Sequence, residues 1–296
     1  MTDPSMLLSK AHDYMYSNAR LLDRRRYEFH FGNGSAEAVI DALRPYQNAD
    51  GGFGGALEPD IRDPLSQPVP TELALHVMDE VGLFDSRILE GVRLYLKNLA
   101  VSGTGGFPRA LRSINQAPHA PWWQTEDDTG PSLNPTGLIL AKLYKQQAVT
   151  SFYEEEWFLQ SDAYFRANMH KADQKDYHDV IQCIAFVEHA PADATTEQMR
   201  ELLKDWLKSE DLVQRNPNAE GYVQKVVDWF PAPDCFGASD IPEEIISSHL
   251  DALIAQQQED GGWMIPWPAL SPACLSEWRG MITVNKLLTL KAYGRL

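Results

Sequence analysis

Two stretches of this chain share one unusual pattern. Gln257–Trp263 reads Gln-Gln-Glu-Asp-Gly-Gly-Trp, and Gln47–Phe53 reads Gln-Asn-Ala-Asp-Gly-Gly-Phe. An eroded third copy lies at Thr104-Gly105-Gly106-Phe107. The glycines permit a sharp turn, the Asp caps it, and the aromatic ring packs behind it. Each full copy ends one amphipathic helical stretch and leads through a Pro-containing loop into another. The Gly pairs begin at Gly51, Gly105 and Gly261, so the gaps are 54 and 156 residues, the second being three units of 52. That spacing implies two further copies with no legible motif.

Helical periodicity runs through the chain between these turns. It predicts helices from Ser5 to about Arg26, Ser35 to Gln47, Thr71 to Val81, Ser86 to Val101, Asn134 to Gln147 and Phe152 to His170. Further helices are predicted over Asp173–His189, Thr195–Ser209, Pro242–Gln258 and Ser276 to the end. Arg24-Arg25-Arg26 suits a helix C-terminus, where cations meet the negative end of the dipole. Val69-Pro70-Thr71 and Asn134-Pro135-Thr136 start equivalent helices, with Asn134 as cap and each Pro at a first helical position. Val180–Val187 is apolar nearly all round, whereas Thr195–Ser209 is amphipathic, a contrast that separates buried from outer helices. From Asp211 to Asp240 the pattern lapses. Tyr222–Phe230 reads as extended, followed by a long loop of the kind that is often functional. Divided by a 52-residue unit, the 296 residues give five to six helical hairpins. Hairpins that cannot bury a face alone stack on their neighbours, which favours an all-α, α/α toroid spanning 1–296 as one domain.

Composition narrows the partners. With 42 acidic against 26 basic residues the formal net charge is −16, which disfavours nucleic acid and anionic membrane surfaces. Cys183, Cys235 and Cys274 are odd in number and far apart, as in a reducing compartment without a disulfide framework. Met1-Thr2-Asp3-Pro4-Ser5 has neither the basic nor the apolar region of a signal peptide, and no apolar run approaches the ~20 residues of a membrane span. A cytoplasmic location is the expectation. Oligomeric state leaves no mark in the sequence.

The Gln-x-x-Asp-Gly-Gly-Trp/Phe unit resembles the QW-type repeat of squalene–hopene and related class II terpene cyclases, and the repeats of protein prenyltransferase β subunits. The resemblance covers the hairpin scaffold and implies an α/α toroid that handles isoprenoids, with a hydrophobic small molecule as substrate. In the cyclases an Asp-x-Asp-Asp motif protonates the substrate. Here Thr125-Glu126-Asp127-Asp128-Thr129 supplies the last two acids and places Thr125 at the first. On that reading Asp127 is the proton donor, its pKa raised by Glu126, Asp128 and burial, while Trp122 and Trp123 face a carbocation. The bland alternative is a solvated acidic loop.

Other residues compete for a chemical role. Glu58, Asp60, Arg62 and Asp63 follow the first full repeat, where they would serve as acid, base or polar anchor, or as a structural ion pair. His119 belongs to the same long loop as the Trp pair. His178 beside Asp179 opens the most buried helix, either orienting an acid or as a satisfied helix start. Trp267 reads as substrate contact or as a seal between hairpins. No metal or other cofactor is expected: Asp234-Cys235 has the wrong spacing for the prenyltransferase zinc site, and no Cys-x-x-Cys or His-Glu-x-x-His occurs. Paired carboxylates with Trp would serve sugars as well, as in a toroidal polysaccharide lyase or glycoside hydrolase. A non-catalytic ligand-binding scaffold is the third reading.

Overall fold

Most of the stretches with helical periodicity form helices. The computed structural model describes residues 3–296. Met1 and Thr2, part of the signal-peptide reading, lie outside the described residues. Among the described residues the protein is all-helical, with extended pairing limited to isolated bridges. The α-helices are α1 (Pro4–Asn18), α2 (Leu21–Phe31), α3 (Ala36–Leu43), α4 (Pro68–Glu80), α5 (Ser86–Leu99) and α6 (Leu133–Lys145). They continue as α7 (Glu156–Asn168), α8 (Tyr177–His189), α9 (Ala194–Trp206), α10 (Val226–Trp229), α11 (Glu243–Ala255) and α12 (Pro272–Ala292). They divide between an internal unit, Ala36–Leu203, and a terminal unit built from Met1–Ser35 with Lys204–Leu296.

In the internal unit α6 packs between α4 and α8, and α7 packs on α6. Gly137 makes this packing possible, because a Cβ there would lie 2.5 Å from the Phe165 ring. Phe165 in turn packs on Phe186 of α8, with ring centroids 4.6 Å apart. The first Gly-Gly turn docks on α5. Gly51 has φ +90°, and a Cβ on it would lie 2.0 Å from the Gly91 carbonyl oxygen. Gln47 Nε2 donates to Gly51 O at 3.0 Å and to Ile88 O, also at 3.0 Å, so one amide holds the turn to the α5 backbone. The Phe53 N–H then donates to Thr71 Oγ1 of α4 at 3.1 Å.

The terminal unit repeats these contacts with different partners. Gly261 has φ +92°, and a Cβ would lie 2.0 Å from Lys10 O of α1. Gln257 Nε2 donates to Gly261 O and Leu7 O, both at 2.9 Å. The Trp263 N–H donates to Thr283 Oγ1 of α12 at 3.3 Å. Leu7, Ala11, Tyr14 and Met15 of α1 bury with Leu250, Leu253, Trp263, Val284 and Leu287 in one core. The eroded copy keeps the last of these bonds, with Phe107 N–H donating to Thr136 Oγ1 at 2.9 Å.

Several local expectations are corrected. The first helix breaks after Asn18, where Ala19 is extended although the sequence holds neither Gly nor Pro there. The buried Asp23 carboxylate accepts from Arg20 Nε at 2.6 Å and Arg26 Nη1 at 3.0 Å, which anchors a separate α2. Arg24–Arg26 therefore lies inside α2, and Arg24 reaches back to the end of α1, where its Nη2 donates to Tyr16 O at 3.2 Å and Ala19 O at 3.5 Å. Pro68 rather than Pro70 opens α4, and Asp85 rather than Ser86 caps α5. Asn134 and Pro135 have non-helical backbone angles, so the Pro is not a first helical residue, and the Asn134 Oδ1 accepts from Gln182 Nε2 of α8 at 3.3 Å instead of from a first-turn N–H. Tyr222–Phe230 holds the short α10 instead of a strand.

Candidate functional site

The two loops singled out in the sequence meet in the internal unit. Ile61 and His119 form an antiparallel bridge, Arg62 N donates to Pro118 O at 3.0 Å, and Ala120 N donates to Asp60 O at 3.0 Å. Ile61, Ala110, Ile114, Ala120 and Trp123 form an apolar cluster beneath the seam. The loop carries three buried carboxylates: Glu58 at 6 %, Asp60 at 1 % and Asp63 at 2 % exposure. Asp63 is committed to structure, since its Oδ2 accepts from Gln67 Nε2 at 2.8 Å and Ser113 Oγ at 2.7 Å. Arg62 is half-buried and turns Nη1 towards Pro59 O.

On the facing loop, His119 Nδ1 lies 2.7 Å from Ala117 O. A carbonyl only accepts, so Nδ1 is the donor in this contact and Nε2 is the ring nitrogen left for other partners. Trp123 is buried, and Arg109 stacks over its face with the guanidinium carbon 5.2 Å from the ring centroid. Trp122 next to it is exposed at 42 %.

Glu126, Asp127 and Asp128 lie further along this loop in a self-bonded turn. Asp127 Oδ1 accepts from Thr129 N at 2.8 Å and Thr129 Oγ1 at 2.6 Å, while Asp128 Oδ2 accepts from Arg112 N at 2.9 Å. Glu126 is exposed and receives a long bond from Gln124. Asp127 is exposed too, and the Thr129 hydrogen bonds hold its carboxyl below the usual range. The raised pKa expected for Asp127 is therefore reversed: it stands ionised at neutral pH, because bonds to the charged form outweigh desolvation.

A better-placed acid lies on α4. Glu72 is partly buried, and desolvation raises its carboxyl to about 7 against the opposing pull of the Gln182 amide and Lys142. Gln182 is fixed in orientation: its Oε1 accepts from Leu138 N at 2.6 Å, which leaves Nε2 to Asn134 Oδ1 and the Glu72 carboxyl. One helical turn before Gln182 on the same face of α8 comes His178. Burial pushes the His178 imidazole below the ordinary histidine range, with Asp176 opposing and the nearby Arg109 cation reinforcing that shift. Burial raises the Asp179 carboxyl. Contact and charge coupling thus run from the joined loops through Trp123 and Arg109 to His178, while Gln182, one turn on, meets Glu72.

Trp267 belongs to the terminal unit. It packs edge-on against Trp278 at 5.1 Å and Tyr222 at 5.8 Å. Among the described residues, no group of three or more His, Cys, Asp or Glu side chains is arranged to hold a metal ion, and no helix is long and apolar enough to cross a membrane.

Glu72 carries a sequence signal that periodicity alone does not reveal. For the three threonines that interact with the aromatic N–H, Thr71, Thr136 and Thr283, the next residue is Glu72, Gly137 or Val284. An ionisable residue occurs at this position in one copy alone. Comparison of the chain with protein-family models, with curated proteins and with solved structures gives no match.

Proposed function

We propose that the protein is an acid–base enzyme in which Glu72 transfers the proton and the joined loops hold a polar, hydroxyl-bearing substrate of the carbohydrate class. One observation carries this reading: the Glu72 carboxyl, lifted to about 7, lies against an oriented amide. A carboxyl with that pKa is half protonated at neutral pH, where a general acid works best. Glu72 protonates the glycosidic oxygen as its bond to the sugar carbon breaks, a water molecule adds to that carbon and gives up a proton, and Gln182 Nε2 steadies the carboxylate that remains. The exposed Trp122 ring and the Arg109 guanidinium receive neighbouring sugar rings, and His119 Nε2 is available as a base. The helical hairpins are taken as an α/α toroid.

Polarity favours a sugar over an isoprenoid. The Glu72 helix α4 carries Asp79, α6 packed on it carries Lys142 and Lys145, and α8 beyond carries His178 and His189, with Lys142 Nζ 2.6 Å from Asp79 Oδ2 and Lys145 Nζ 2.7 Å from Asp79 Oδ1. A carbocation needs aromatic faces around it. The aromatic residues Phe165, Phe186 and Tyr144 are instead engaged with one another and with α7 residues such as Phe158. Protonation-initiated cyclisation of a polyprenyl substrate is the second reading, favoured by the same observation of one raised carboxyl in the helix that follows the first full repeat.

Incubation of the purified chain with a panel of plant and bacterial oligosaccharides should release new reducing ends or unsaturated products. Glu72→Gln should reduce that release at least 100-fold while leaving the circular dichroism spectrum unchanged. Gas chromatography of parallel reactions with squalene and polyprenols tests the second reading. Cyclised products there, with no sugar cleavage, would replace the first reading by the second. Turnover insensitive to Glu72→Gln would remove both.

A further inference from the structure

The terminal unit holds a cleft that the Glu72 site does not use. Its inner part is apolar, lined by the buried Leu207, Phe230 and Ile241. Its mouth is basic: Lys204 in the last turn of α9, Lys208 just after that helix and the half-buried Arg215 line the same space. Asp240 is the one carboxylate among the lining residues. Three basic residues in eight stand against 26 in the 296 of a chain with formal net charge −16, so the cleft reverses the sign of the molecule's charge. A local reversal of that kind draws in an anion.

The surrounding backbone fixes this arrangement. Gln214 N donates to Gln224 O at 2.9 Å, and the buried His249 of α11 places Nε2 2.9 Å from Arg215 O, so the main chain at Arg215 is held from two sides. Tyr293 Oη donates to Phe230 O at 2.9 Å. Gly237 also lines the cleft, with φ +82°; a Cβ on it would lie 3.1 Å from Leu207 Cδ1 and 3.4 Å from Phe230 Cε1, so glycine keeps the apolar part open. Arg215 Nε is buried without a hydrogen-bond partner, and the Glu210 carboxylate stands 3.8 Å from it, beyond hydrogen-bond distance. A buried N–H left unmatched is unfavourable, and an acceptor entering the cleft satisfies it. Lys208 Nζ lies 2.7 Å from Asp205 Oδ1 in an exposed pair, which an incoming anion displaces at little cost.

Size and charge narrow the ligand. The cleft measures about 290 Å³ with its open mouth, and its sheltered part has room for about one or two water molecules. A space this small takes one end of a small molecule and no ring system. Asp240 and the carbonyl end of α9 disfavour a dianion, so a single negative charge suits the three cations best. We propose that the cleft binds a short-chain monocarboxylate, its carboxylate held by Arg215, Lys204 and Lys208 and its alkyl end packed on Leu207, Phe230 and Ile241. The planar guanidinium offers parallel N–H donors to the two carboxylate oxygens, which a lysine does not. Binding makes and breaks no covalent bond and is independent of the chemistry at Glu72.

The test titrates the full-length, nitrogen-15-labelled chain with sodium propionate and follows it by nuclear magnetic resonance, with sodium chloride at matched ionic strength as the control. The Arg215 Nε–H and the Gly237 and Ile241 amides should shift saturably with propionate and not with chloride, with half-saturation in the low millimolar range open to so small a ligand. Affinity should rise at least fivefold from acetate to butyrate, because each added methylene is buried against the apolar lining. Arg215→Gln should weaken propionate binding at least tenfold. Lys208→Gln, at an exposed position that leaves the fold in place, should weaken it severalfold, so the test stands whether or not the Arg215 variant folds. Absence of a saturable shift at these groups overturns the proposal, as does unchanged affinity in Lys208→Gln and Arg215→Gln together. Saturation by inorganic phosphate and by no carboxylate overturns the assignment to monocarboxylates, and equal affinity for acetate and butyrate overturns the apolar contact.

Discussion

Glu72 links chemistry to stability through one proton. Its carboxyl is lifted to about 7 in the folded chain by burial, against about 4.3 for an unperturbed Glu. Between those values the folded state binds more protons than the unfolded state, so stability falls as pH rises through that window and levels off above it. Glu72→Gln removes the charge that burial disfavours. The variant should gain roughly 1–3 kcal/mol relative to the native chain at pH 8 and little at pH 4, on a scale of about 1.4 kcal/mol per pKa unit. Urea unfolding at the two pH values measures this, and an equal effect at both would show that the carboxyl titrates normally. Because the acid acts in its protonated form, activity should fall as pH rises through about 7. Asp79→Asn sharpens the point. Lys142 Nζ is held at 2.6 Å from Asp79 and also acts on the Glu72 carboxyl. Released from Asp79, it should favour ionised Glu72 and move the descending limb of the pH–rate profile to lower pH. A limb that stays in place would exclude Lys142 from control of the acid.

At the scale of the element, the Gly-Gly turns work as clamps, and their sequence pattern states this more fully than their glycines do. Gln47 and Gln257 each hold a turn to the backbone of another helix, α5 in one case and α1 in the other. Gln→Ala at either position strands backbone carbonyls and should destabilise the protein by about 1–3 kcal/mol. Amide exchange localises the loss: Gln47→Ala should weaken protection in α5, and Gln257→Ala in α1. Equal loss in both helices from either change would contradict the assignment. Gly51→Ala combines a positive φ with a Cβ 2.0 Å from a carbonyl oxygen and should cost roughly 2–4 kcal/mol. These clamps were legible in the sequence because Gln, Asp, Gly, Gly and an aromatic residue each do one local task. The break between α1 and α2 was not, because it follows from a buried Asp23 that meets Arg20 and Arg26, with no local breaker. The candidate site divides in the same way. The sequence picked out both loops that meet at Ile61 and His119, yet it favoured the Asp127 turn, whose carboxyl proved exposed and bonded to its neighbour Thr129. Glu72 was passed over because a glutamate on a helix looks like solvated charge until the residues around it are placed.

At the scale of the whole molecule, the terminal unit draws its core from both ends of the chain. Leu7, Ala11, Tyr14 and Met15 of α1 share that core with residues of α11 and α12 that follow more than two hundred positions later. Fully burying a Leu- or Met-sized side chain contributes about 1.5–3 kcal/mol, while a folded domain is stable by only about 5–15 kcal/mol in total. Removing α1 withdraws three large side chains, Leu7, Tyr14 and Met15, along with Ala11, exposes the face of Trp263 that packs with them, and deprives Gln257 of Leu7 O. The loss is comparable to the whole stability of a unit of this size. A chain that begins at Arg20 should therefore lose slow amide exchange across α11 and α12 and the native emission of Trp263. Restoring residues 3–19 as a separate peptide should recover both in proportion to peptide concentration, because the contacts are between side chains and backbone groups rather than along the chain. Native protection of α12 without α1 would show that α11 and α12 support each other alone, and would reduce the Gly261–Lys10 contact to an attachment of the N-terminal helix.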